Sequence, residues 1–131
     1  MQPAAPSGDG ASPGRLGAAI ANEIGKLVAE FAGRGATRSR AFVHDDIVVC
    51  LLEDGATKAE VHLVAAGRAE LVRWTRDALQ RVMDDDLVAA VERLTERKVV
   101  KFLSGTSTLG DTSVELFVLE PRAADGRESA R

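Results

Sequence analysis

A chain of 131 residues is long enough for one domain and too short for two of ordinary size. Hydrophobic residues make up 45% and charged residues 28%, the balance of a globular protein able to build its own core. Seventeen Lys and Arg are interleaved with twenty Asp and Glu, and a net charge of −3 argues against a nucleic-acid partner, which would ask for a basic face.

Both ends read as tails. Residues 1–13 and 122–131 are small, polar or charged, and cannot offset their own ordering entropy with apolar contacts, which leaves a single domain over residues 14–121. Residues 1–13 lack a basic segment followed by an apolar one, so they do not read as a signal peptide. No stretch approaches the roughly 18 consecutive apolar residues of a membrane span. The expected compartment is the cytosol, with no direct membrane insertion. Cys50 is the only cysteine, which precludes an intrachain disulfide, and its place in the apolar run 47–52 points to a buried thiol rather than a nucleophile.

The first helix is expected over residues 14–32. Ser12 is a plausible cap, Pro13 suits the first helical position, and Leu16, Ile20, Ile24, Leu27, Val28 and Phe31 recur at helical spacing. Gly17 and Gly25 lower its intrinsic propensity, so tertiary packing must hold it. A hairpin follows, with strands at 40–44 and 47–53 joined at Asp45 and Asp46, residues that tolerate the left-handed turn conformation. Residues 47–52 are apolar without alternation, the pattern of a central strand covered on both faces.

Thr57 and Glu60 stand at capping-box spacing and predict a short helix from Lys58 to Gly67. A long helix should run from Arg68 to Glu96. Its apolar stripe begins with Leu71, Ala78, Leu79, Val82 and Met83, then rotates by on the order of 100° toward Leu87, Val91 and Leu94. A second hairpin, 98–104 and 113–120, closes the chain, with Val114, Leu116 and Val118 on one face. The order α-β-β-α-α-β-β predicts an α+β fold: a four-stranded, largely antiparallel sheet with helices packed on one face.

Several blocks in this order resemble a known family. They are Gly33, Arg34 and Gly35, then residues 40–53 (RAFVHDDIVVCLLE), Thr57 to Glu60, Ala66 to Arg68, residues 97–105 (RKVVKFLSG) and residues 114–119 (VELFVL). Together they resemble the bacterial MpsC family, the soluble domain named for a sodium-translocating membrane-potential-generating system. The resemblance implies an association with that system and a membrane-protein partner in which the ions move. It implies no catalytic residue and no cofactor.

Residues that could carry chemistry are few. His44, Asp45 and Asp46 offer oxygen and nitrogen ligands, but adjacent strand residues point to opposite faces, so a polar hairpin turn is the simpler reading and no metal site is assigned. Arg34, in a glycine-flanked turn, and Arg68, at the start of the long helix, could hold an anion, but chain reversal with surface charge is the simpler reading of the first and a structural salt bridge of the second. Asp84, Asp85 and Asp86 fan over about 200° of a helix and cannot all face one ion. No serine-histidine-acid arrangement or paired metal-ligand motif occurs.

The expectation is therefore a non-enzymatic accessory or regulatory domain acting through protein–protein contacts as a homodimer. Trp74, Leu87, Val91 and Leu94 are its expected interface, because the rotated stripe points away from the direction served by Leu71 and Val82. The rival reading is a small-ligand or anion-binding domain, weakly enzymatic at most, in which Arg34, His44, Asp45 and Arg68 converge.

Overall fold

A computed structural model describes residues 12–33, 38–53, 55–107 and 112–122. The elements follow the expected order: α1 (Pro13–Ala32), β1 (Arg38–His44), β2 (Ile47–Glu53), α2 (Lys58–Ala65), α3 (Ala69–Thr95), β3 (Val99–Thr106) and β4 (Thr112–Leu119). The four strands form one antiparallel sheet in the order β1-β2-β4-β3, so the two hairpins meet through their second strands. This is the α+β fold expected.

Local signals set the element ends. The Ser12 side chain accepts a hydrogen bond from the Arg15 N–H, and Gly33, at φ 82°, closes α1 by donating its N–H to the Ala29 carbonyl. Asp45 takes the left-handed conformation, φ 54°, that a two-residue hairpin turn demands. Both halves of the α2 capping box are made: Glu60 N–H to Thr57 Oγ1 at 3.1 Å, and Thr57 N–H to Glu60 Oε1 at 2.9 Å.

The core lies between one sheet face and the layer of α1 and α3. Ile20 and Ile24 of α1 and Met83, Leu87 and Val91 of α3 meet Val48, Cys50 and Leu52 of β2 and Phe117 and Leu119 of β4. Leu16, Leu27, Val28 and Phe31, the rest of the expected α1 stripe, pack around that cluster. A Cβ on Gly17 would stand 2.5 Å from the Ala41 carbonyl oxygen, so the helix lies directly on β1 and glycine is required by contact there. The weak helix former seen in the sequence is the place where the helix touches the sheet.

The long helix overturns one expectation. Leu87 and Val91 are fully buried in the core, while Val82, placed on the inward stripe, is exposed. The rotation expected between the two halves does not appear: buried Val72, Met83, Leu87, Ala90 and Val91 fall within about 100° of one another around the helix. The second half packs on the sheet and α1, and the first half turns to α2, burying only Val72. Apolar periodicity offers candidate stripes without revealing which one meets the sheet.

Candidate functional site

His44 and Asp45 lie together at the tip of the first hairpin, Nε2 to Oδ2 at 3.5 Å, with both side chains exposed to solvent. Asp46, which follows, accepts the Leu119 N–H at its carbonyl. Arg97, just beyond α3, reaches the same turn. Its Nη1 donates to the Asp45 carbonyl at 2.9 Å, while Nε and Nη2 donate to the Glu120 carbonyl at 3.1 and 2.8 Å. One guanidinium thus holds the first hairpin turn to the end of β4, a role that no local pattern at Arg97 announces.

Arg68 sits at the opposite end of α3, where it pairs with Glu70 at 3.3 Å. A helix of 27 residues is roughly 40 Å long, so Arg68 and the His44–Asp45 pair are separated by about the length of α3. The described members of the expected anion set do not converge, because α3 stands between Arg68 and the His44–Asp45 turn. Arg34, the fourth member of that set, lies outside the described residues.

The expected interface residues also divide. Trp74 is 69% exposed. Leu94 is partly buried against the core, and Leu87 and Val91 are wholly inside it, so the apolar patch assigned to this end of α3 is intramolecular core. Among the acidic triplet, Asp84 accepts a hydrogen bond from Gln80 at 2.9 Å, whereas Asp85 and Asp86 face solvent.

Two apolar surfaces stand in place of that patch. The first is the sheet face turned away from the helices. Strand register sets Phe42, Val49, Leu116 and Leu103 in one row across all four strands. Ile47 and Val118 form a neighbouring row on one side, and Leu51 and Val114 on the other. None of these eight belongs to the core cluster or packs against it, and Phe42 and Leu103 are 54% and 59% exposed. The expected shared face of Val114, Leu116 and Val118 exists, but it is the face the helices leave uncovered.

The second surface is the α2–α3 hairpin. Glu60 and Arg76 form a two-pronged ion pair, Nε to Oε2 at 2.9 Å and Nη2 to Oε1 at 2.8 Å, which pins the short helix to the long one. The hydrogen bonds from Arg76, and next those from Thr57, hold the Glu60 carboxyl below its ordinary range despite partial burial. Val61 and Val64 of α2 and Trp74 and Val82 of α3 are exposed, and Trp74, about 160° around α3 from Arg76, is turned away from α2.

Among the described residues one polar side chain enters the core. Glu115, on β4, is 1% exposed and accepts a hydrogen bond from Gln80 Nε2 at 3.0 Å. Burial above all, and then the nearby Asp84 carboxylate, pushes its acid up to about 8 against the Gln80 hydrogen bond. Its strand neighbour Cys50 is driven up to about 12 by burial and by Glu115, which makes it a packing thiol as expected. Among the described residues no group of three or more His, Cys, Asp or Glu could hold a metal ion. An open groove of about 600 Å³ runs along α1, lined by small side chains and one cation, Lys26.

No described helix is long and apolar enough to cross a membrane. Comparisons with curated proteins and with solved structures found no match. The family model described as "Na+-translocating membrane potential-generating system (MpsC)" matches residues 12–121, from the cap of α1 to just past β4 and so over nearly all of the described chain. The chain belongs to the MpsC family.

Proposed function

We propose that this chain is a non-enzymatic accessory or regulatory component of a membrane-potential-generating system, acting from the cytosol through contact with an integral membrane partner. The observation that carries the reading is the α2–α3 hairpin. It is an ordered element, capped and ion-paired, whose long helix carries the single tryptophan exposed to solvent. Tryptophan is the side chain most often found to dominate a protein contact, since it offers a large rigid apolar surface at little entropic cost. A hairpin fixed by the Glu60–Arg76 pair presents that surface without a further ordering cost on binding.

The family association supplies the kind of partner. A route for ions across a bilayer needs spanning helices or a closed barrel, and in this reading that route belongs to another protein. The separation of Arg68 from His44 and Asp45 supports contact over ligand chemistry, because the polar groups that the rival reading requires are distributed along the molecule.

Capture of the tagged full chain from gently solubilised native membranes tests the proposal. The unmodified protein should retain an integral membrane protein, and Trp74→Ala should weaken that retention by about tenfold or more, the usual loss at a dominant contact residue. Equal retention by both chains, or retention of no membrane protein, would overturn the reading.

A further inference from the structure

We infer that the uncovered sheet face is the interface of a homodimer in which two copies pack face to face and complete a four-layer helix–sheet–sheet–helix sandwich. This surface is separate from the α2–α3 hairpin. An antiparallel strand with one wet face alternates apolar and polar residues. Here β2 reads Ile47, Val48, Val49, Cys50, Leu51, Leu52, and β4 reads Val114, Glu115, Leu116, Phe117, Val118, Leu119. Both strands are written for cover on two sides, and the described helices cover one.

The size of the face suits a second copy. Four strands about 4.8 Å apart, each of seven residues rising about 3.3 Å, give a projected area of roughly 440 Å². Within that area the eight apolar side chains lie in the middle and Arg38, Arg40, Glu53, His44 and Lys101 at the margin, so the face as a whole has an apolar centre and a polar rim. Counted on two copies it approaches 900 Å² before the relief of the side chains is included, and relief brings it to the roughly 1,000 Å² that a specific interface needs. Aligned packing of two such faces, about 10 Å apart with interdigitated side chains, is the ordinary arrangement of a β-sandwich.

Charge selects an antiparallel twofold. Along the first hairpin, Arg38 and Arg40 lie at the open end, with Glu53 at 4.0 and 3.4 Å. Asp45 and Asp46 lie at the turn beside His44 and Lys101, which share the outward row of Ile47 and Val118; the two ends remain opposite in net sign. The row of Phe42, Val49, Leu116 and Leu103 stands midway between them, Phe42 being three residues before Asp45 and two after Arg40. A twofold axis along that row sets the cationic end of each copy over the anionic turn of the other. The same residues meet twice, as a closed isologous interface requires. The parallel alternative would leave both attractions unmade.

Sedimentation of the full chain at tens of micromolar tests this. The unmodified protein should run as a species of twice 13.9 kDa. Leu116→Lys, at the centre of the face, should weaken the dimer by about thirtyfold or more. Because Leu116 is half-buried, Leu103→Lys is the companion variant: its side chain is already exposed in the monomer, so it should leave the fold of each copy intact by circular dichroism while weakening the dimer by about tenfold. A species of 13.9 kDa for the unmodified chain would overturn the inference, as it would if the face were covered by the chain's own termini. A dimer untouched by Leu103→Lys and Leu116→Lys, or one dissociated by Trp74→Ala, would overturn it too.

Discussion

Replacing Glu115 with glutamine removes a charge that its surroundings oppose while keeping the shape of the side chain and its contact with Gln80. The residue is 1% exposed, and its acid is raised from an ordinary 4.5 to about 8. Below pH 4.5 the carboxyl is protonated in both the folded and the unfolded chain and does not affect their balance. Between pH 4.5 and 8 the unfolded chain releases its proton while the folded chain keeps it, so stability falls as pH rises. Above pH 8 both states are ionised and the loss is complete. At about 1.4 kcal/mol per pH unit, the window carries a ceiling of roughly 5 kcal/mol, a large share of the roughly 5–15 kcal/mol that holds a small domain. Relaxation around the charge and solvent entry bring the expected loss to about 2–4 kcal/mol. Cys50, the nearest other buried acid, stays protonated through this window because its thiol is raised to about 12. Urea denaturation at pH 5 and pH 8.5 measures the effect. The unmodified chain should lose midpoint concentration on going to the higher pH, and Glu115→Gln should lose less by the amount that corresponds to those 2–4 kcal/mol. Parallel pH profiles for the two chains would refute the reasoning.

Gly17→Ala should destabilise the fold by about 1–3 kcal/mol despite the better helix propensity of alanine, because the added Cβ meets the backbone oxygen of Ala41; the urea midpoint reads the change. Glu60→Ala removes a cap and an ion pair together, so a loss of about 1–2 kcal/mol is expected at neutral pH. The Glu60 contribution is present above the ordinary carboxyl range and fades as pH falls through the lowered folded value, so the difference between variant and parent should shrink in acid. Cys50 should react slowly with a thiol reagent under native conditions and rapidly in denaturant; fast native labelling would contradict its burial.

The elements were legible where local chemistry decides them. Ser12 with Pro13, Thr57 with Glu60 and the Asp45 turn each act within a few residues, and each stands where the sequence put it. The doubly apolar β2 was read for cover on both sides; the chain supplies one layer, and the unmet half of that reading leads to the proposed dimer. Failures arose where a distant partner decides. The apolar residues of α3 suggest two faces, whereas the buried ones share one, and only the partners that α3 meets decide which residues those are. Glu115 and Gln80 are 35 residues apart, and Arg97 reaches back 52 residues to Asp45, so neither contact leaves a local signature. A lone carboxylate among Val114, Leu116, Phe117, Val118 and Leu119 was the one available sign of a buried acid.

The central claim is that this chain works by presenting Trp74 to a membrane protein. A photo-crosslinking residue placed at position 74 in intact cells, with another at position 93 on the exposed surface near the far end of α3, examines that contact directly. The account predicts a covalent adduct with an integral membrane protein from position 74 and not from position 93. Adducts from both positions alike, or with soluble proteins alone, would contradict it.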